Sequence, residues 1–197
     1  MAHVQTCLHM IAVLFARTDS IYKSLPDCDV WDINRDARNW PGGCPVIAHP
    51  PCRAWGRLRH LAKPRDGERE LALWAVEQVR KWGGVLEHPA GSTLWEAARL
   101  PYQNERDDFN GYTLWVSQWW FGHKADKATW LYIVGIEPAD LPSIPYCMGD
   151  PLFVVKSSKR KADGKRPEIT KSEREHTPQA LAEWLCEVAK RSNSHAL

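Results

Sequence analysis

The chain has 197 residues, a formal net charge of +2 and 25% charged residues. That length accommodates one domain with a good core, and the near-neutral balance excludes a polycationic nucleic-acid coat. The six cysteines (7, 28, 44, 52, 147 and 186) show no CxxC pairing, no apolar run is long enough to span a bilayer, and the first apolar stretch lacks a basic flank or cleavage site. Together these predict a cytoplasmic, reduced protein without membrane contact.

His9 to Ala16 predicts a short opening strand, followed by the loop Ala16-Arg17-Thr18-Asp19-Ser20. Asp29-Val30-Trp31-Asp32 predicts a second strand with a terminal acid. Asp32 there can hold ribose hydroxyls, as acids do at that strand end in nucleotide-binding α/β folds, or it can cap a short helix over 33–40. Pro45-Val46-Ile47-Ala48, bounded by Gly42-Gly43 and Pro50-Pro51, predicts a buried strand. The prolines cannot continue a ladder, so the chain turns at the strand's carboxyl end. Open α/β sheets place ligand sites at that edge. Cys52 therefore stands on a rigid turn where a nucleophile is useful, or else packs as a small buried hydrophobe. Cys44, His49 and Cys52 lie close in sequence, but a strand through them points Cys44 and His49 to opposite faces, so no metal site is expected.

Arg53, Arg57, Arg59, His60, Lys63 and Arg65 follow the turn. They suit phosphate contact, or ion pairing with Asp66, Glu68 and Glu70. Leu71, Trp74, Ala75, Val79 and Trp82 fall on one face of a predicted helix, which Gly83 ends. Val85-Leu86-Glu87-His88-Pro89-Ala90 predicts the next strand. Strand, helix and strand make a βαβ crossover, so Cys52 and Glu87 should share one rim. A carboxylic acid beside a thiol can protonate the nitrogen of a heteroaromatic ring to which the thiolate adds; a solvated or helix-capping acid is the other reading of Glu87.

Tyr112 to Phe121 and Thr129 to Val134 predict an antiparallel pair. The loop between them carries His123, Lys124 and Lys127, which either serve the site or only solvate it. Lys156, Lys159, Arg160, Lys161, Lys165 and Arg166 form a second basic run, in a segment over 156–170 that reads as flexible. Thr177-Pro178 followed by Leu181, Trp184, Leu185 and Val188 predicts a closing amphipathic helix over 177–192. Of the 11 tryptophans, Trp74, Trp82 and Trp184 sit at helical core positions. Trp55, Trp95, Trp119 and Trp120 fall in rim loops, where they can stack on an extruded base or pack in the core.

In this order the segments resemble the DNA cytosine-5 methyltransferases. Pro50-Pro51-Cys52 matches the turn that carries the family's nucleophile, which attacks carbon 6 of cytosine. Glu87 matches the acid that contacts the base at its ring nitrogen, with His88-Pro89 replacing Asn-Val. Gln118 to Lys127 is similar to the family's Gln-x-Arg-x-Arg region, with lysine for arginine. The resemblance covers roughly residues 10 to 135, and the 174–190 tail is similar to the family's last helix. It implies one α/β domain over 1–197 with the Rossmann-like class I methyltransferase fold, a mostly parallel sheet of five or six strands with an antiparallel hairpin and flanking helices. It implies Cys52 and Glu87 as catalytic residues and S-adenosylmethionine held by Phe15, Asp32, His49 and Pro50. DNA would be contacted by Arg53, Arg57, Arg59, Gln118, Lys124 and Lys127.

Two departures shape the expectation. Ala16-Arg17-Thr18-Asp19 replaces the family's glycine-rich Phe-x-Gly-x-Gly loop, and there is no room for a separate target-recognition domain. The chain thus reads as a compact, phage-type relative. Its alternatives are a catalytically inactive or cofactor-divergent nucleic-acid-binding protein on the same fold, and an interaction protein that meets a protein partner through exposed tryptophans and basic loops.

Overall fold

A computed structural model describes residues 10–155 and 166–192 and shows an α/β molecule built on one six-stranded sheet. Its strands are β1 (Ile11–Ala16), β2 (Cys28–Asp32), β3 (Val46–Ala48), β4 (Gly84–Pro89), β5 (Tyr112–Ser117) and β6 (Ala128–Val134), in the order β2-β1-β3-β4-β6-β5. β1 pairs in parallel with β2 and β3, and β3 with β4. β6 is antiparallel to both β4 and β5, so it is the reversed strand of the six. The helices are α1 (Glu68–Trp82), α2 (Leu94–Ala97), α3 (Lys171–Glu175) and α4 (Gln179–Arg191).

Strand side chains alternate between faces, and the sequence exploits this by making both faces apolar. Ile11, Val13, Ile47, Val85, Leu131 and Ile133 meet Leu181, Leu185 and Val188 of α4. Ala12, Leu14, Val46, Ala48, Leu86, Tyr132 and Val134 meet Ala72, Ala75, Val76 and Val79 of α1. Each fully buried leucine or valine contributes on the order of 1.5–3 kcal/mol, which fixes both helices against the sheet. Between β3 and β4 the backbones approach so closely that a Cβ on Gly84 would lie 2.0 Å from the Val46 carbonyl oxygen. Only glycine fits there, and it also carries a φ of +110°.

The structure adjusts several expectations. The βαβ unit forms as β3–α1–β4, but the buried stripe of α1 is centred on Ala72, Ala75, Val76 and Val79, with Leu71, Trp74 and Trp82 only half-buried along its margins. Small residues bring the helix axis close to the sheet, and the large indoles cover the edges: Trp74 against Phe15 and Trp82 against Trp40. The predicted helix over 33–40 is reduced to a 3-10 turn, Ala37–Asn39, and Asp36 rather than Asp32 caps it. β5 stops at Ser117 because the Ser117 hydroxyl accepts from the Trp119 N–H, winding Gln118–Phe121 into a 3-10 turn that Gly122 ends at φ +89°.

Residues 166–170, read as part of a flexible segment, are tied down. Val154 N–H donates to the Pro167 carbonyl, Ile169 N–H to the Val154 carbonyl, and the Arg166 side chain to the Pro151 carbonyl. Lys156, Lys159, Arg160, Lys161 and Lys165, together with His9 and Cys7, lie outside the described residues. Among the described residues no helix is long and apolar enough to cross a membrane.

Candidate active site

β1, β3 and β4 all deliver their carboxyl ends to one rim. His49 continues the β3 ladder by donating its N–H to the Leu14 carbonyl at 3.0 Å, and Pro50-Pro51 then forces the chain out of the sheet. The turn is closed by the Cys52 carbonyl, which accepts from the N–H groups of Trp55 (3.1 Å) and Gly56 (2.7 Å). The side chain of Cys52 is left exposed at the rim, not buried as a small hydrophobe. Crowding by protein atoms and the Glu87 charge push its thiol up, while Lys127 and Arg53 pull it down. By solvent area the residue is nonetheless open, and that exposure governs its access to a substrate.

Glu87 is the centre of a hydrogen-bonded chain. Its Oε2 lies 3.1 Å from His49 Nδ1, and its Oε1 accepts from Gln118 Nε2 at 2.9 Å. His49 Nε2 lies 3.0 Å from the Tyr22 hydroxyl, and Gln118 Nε2 also reaches Thr129 Oγ1 at 3.0 Å. Burial alone would raise the Glu87 pKa, but Lys127, the His49 hydrogen bond and the His49 and His88 charges bring it down to about 2. An ionised carboxylate cannot donate, so His49 Nδ1 carries a proton and donates to it. Burial holds the Tyr22 phenol well above its usual pKa, which keeps it a donor. Gln118 is buried, and its Oε1 has no donor among the described residues.

His88 points to the opposite face, beside Trp95. It is fully buried, and among the described residues neither ring nitrogen makes a well-formed hydrogen bond, the Pro51 carbonyl acting on the ring only weakly. Burial lowers its pKa to about 4, against weaker raising effects from Glu87 and the Pro51 carbonyl.

The remaining sequence candidates are more scattered. Phe15 is half-buried with φ +61°, a left-handed bulge where β1 slips register against β2, and its ring meets Trp74 edge-on. The following loop is filled by charge: Arg17 pairs with Asp19 (2.9 Å) and with Glu175 of α3 (2.8 Å), and His176 reaches Asp19 at 3.1 Å. Asp32 is buried and already engaged, accepting from Lys23 Nζ at 2.6 Å and from Asn34 N–H at 2.9 Å. Pro50 is buried beneath the turn.

Arg53 is bound to the buried Glu68, Nε lying 3.0 Å from each carboxylate oxygen, so the ion-pair reading holds for it. Arg57 and Arg59 are exposed and have no ion-pair partner among the described residues; the Arg57 stem lies across Gly91. Lys124 pairs with Glu173. Lys127 is half-buried and bears electrostatically on both Glu87 and Cys52.

The rim therefore brings together Cys52, Glu87, His49, Gln118 and Lys127. Two of the four rim tryptophans prove to be core: Trp55 is 1% exposed, donating to the Arg69 carbonyl, and Trp95 is 0% exposed, donating to Thr113 Oγ1. Trp119 and Trp120 stay half-buried, Trp120 stacked edge-on between Trp115 and Tyr146. The participants that sequence reasoning missed are Tyr22, Thr129 and the acids of α3. Only α3 carried a local signal, the Thr170-x-x-Glu173 capping box, whose reciprocal hydrogen bonds all form. Among the described residues no cluster of three or more histidine, cysteine or acidic side chains is arranged to hold a metal.

No protein-family model matches this chain, and neither the curated proteins nor the solved structures contain a significant match.

Proposed function

We propose that the chain is a compact relative of the DNA cytosine-5 methyltransferases that activates carbon 5 of a pyrimidine in DNA by adding Cys52 to carbon 6. The observation that carries this reading is the meeting of an exposed thiol and a half-buried, ionised carboxylate at the carboxyl ends of β3 and β4. Gln118 and Lys127 join them from the segment where the resemblance places the family's third motif. A mostly parallel sheet with one reversed strand next to its edge supports the Rossmann-like class I methyltransferase fold.

The chemistry balances on protons. Cys52 is a thiol whose proton must leave before sulfur can attack. Glu87 is the ionised acceptor whose charge it feels, and as a carboxylic acid it passes that proton to the ring nitrogen as the sulfur–carbon bond forms. His49 and Gln118 hold the carboxylate in place throughout. The adduct is nucleophilic at carbon 5, takes an electrophile there, loses the carbon 5 proton to a base and then expels Cys52, the ring nitrogen giving its proton back through Glu87 to the thiolate.

The resemblance implies S-adenosylmethionine as the donor, but the residues present do not fit it. Arg17 and Asp19 fill the loop that the family leaves to glycine, and Lys23 neutralises Asp32. No step is therefore routed through that group, and a second reading gains support: a cofactor-divergent protein that binds DNA without transferring methyl.

Hydrogen exchange at carbon 5 tests the activation step without any donor. In deuterated buffer the protein should incorporate deuterium at carbon 5 of cytosines in duplex DNA, measured by nucleoside mass spectrometry, and Cys52→Ala should abolish it. Equal incorporation by both proteins, or none by the wild type, sinks the mechanism. Transfer of label from S-adenosylmethionine by wild type but not by Cys52→Ser would remove the second reading.

A further inference from the structure

Two cysteines far apart in sequence and away from the rim meet across the molecule. Cys28 opens β2, an edge strand, and is half-buried; Cys186 lies in α4 and is buried. Their sulfurs are 3.5 Å apart and share a hydrogen bond. We propose that Cys28 and Cys186 form a thiol-modification site, oxidised by low-molecular-weight disulfides to an intramolecular disulfide that staples α4 to the edge of the sheet.

Three observations support the pairing beyond proximity. The partners come from different elements, so neither is a lone cysteine that happens to be accessible. Cys28 is the more acidic thiol, lowered chiefly by the hydrogen bond from Cys186 and also by Lys190, and Cys186 is raised in turn. Lys190 is held one helical turn beyond Cys186 by its ion pair with Asp27 (3.3 Å), so the cation stays beside the sulfurs. Of the other charged groups facing them, Asp27 acts against ionisation of Cys28 and Glu187 against that of Cys186. Bringing the sulfurs to bonding distance, about 2.05 Å, requires roughly 1.5 Å of combined travel, within reach of small rotations of both side chains.

The reaction proceeds in two exchanges. Cys28 thiolate attacks one sulfur of oxidised glutathione, forming a mixed disulfide and releasing one glutathione thiolate. Cys186 loses its proton and attacks the Cys28 sulfur, releasing the second. Two protein thiols are oxidised to one disulfide, the small disulfide is reduced to two thiols, and the two protein protons end on the released glutathione.

The test uses the full chain. Purified protein is incubated with oxidised glutathione, free thiols are blocked with iodoacetamide, and a non-reducing digest is mapped by mass spectrometry. The expected result is a Cys28 peptide joined to a Cys186 peptide, with a melting temperature roughly 10 °C above the same sample after dithiothreitol, because the bond closes a very long loop. Cys186→Ser should leave Cys28 as a stable mixed disulfide with glutathione. Should that variant fail to fold, Cys28→Ser, at the sheet edge, should fold and leave Cys186 unmodified. Stable glutathionylation of wild-type Cys28 without linkage, linkage of either cysteine to Cys52 or Cys147, or no oxidation of the pair would each overturn the proposal. So would a linked protein that melts no higher than the reduced one.

Discussion

His88 enters the core with neither ring nitrogen in a well-formed hydrogen bond among the described residues, and its neighbour Glu87 is half-buried but ionised. Both titrate abnormally, and both make the fold acid-sensitive. His88 protonates at about 4 when folded, against an ordinary 6.5. The stability that its neutral form contributes is complete above pH 6.5 and is lost as pH falls through 4. Glu87 is held at about 2 against 4.5; its share is complete above pH 4.5 and disappears on approach to pH 2. Each window is worth on the order of 3 kcal/mol. His88→Leu removes an unpaired polar group, so its urea midpoint should match or exceed wild type at pH 7 and stay nearly flat down to pH 5, where the wild type declines. A variant that declines in parallel with wild type would show that another group titrates. Among the arginines, Arg53→Ala strands the buried Glu68 carboxylate and should cost on the order of 1–3 kcal/mol, read by denaturant unfolding. Changing Arg57 and Arg59 together to alanine should leave stability unaltered. It should weaken DNA binding and flatten the log–log salt dependence by about one unit for each phosphate no longer neutralised.

At the scale of elements, α3 and the residue after it form a strap that ties the loop after β1 to the loop between β5 and β6. Glu175 engages Arg17, Glu173 engages Lys124, and His176 engages Asp19. Arg17 and Lys124 are thus both paired from within the chain, Arg17 with Asp19 as well. Replacing Glu173 and Glu175 together by glutamine keeps the capping box, since glutamine serves at that position, and frees Lys124, while Arg17 keeps its pairing with Asp19. DNA affinity should rise several-fold at low salt and its salt slope should steepen by about one unit. Unchanged affinity would mean that the strap only braces the fold. The Thr170-x-x-Glu173 pattern is local, but the pairing of Glu173 with Lys124 joins distant segments, which no local periodicity encodes.

For the whole molecule, the legible part of the sequence was whatever is local. The run Val46–Ala48 against Pro50-Pro51, the helix from Glu68 to Trp82 with its glycine stop, and the apolar stretch of Thr129–Val134 all became the elements they predicted. Cys52 and Glu87 reached one rim because a βαβ crossover leaves neighbouring strands little choice. What stayed hidden depends on interactions across the chain: the Lys23–Asp32 pair, burial of Trp55 and Trp95, and the Cys28–Cys186 meeting, which spacing rules for paired cysteines cannot reveal. The placement of α4 has a further consequence. It is the last described helix to leave the ribosome, yet it covers the face formed by Ile11, Val13, Ile47, Val85, Leu131 and Ile133. Until α4 emerges that apolar face has no lid, and a nascent chain halted before Gln179 should present it to chaperones or to its own copies. Emergence of this helix, rather than collapse of the sheet, is then the event that makes the protein safe from aggregation.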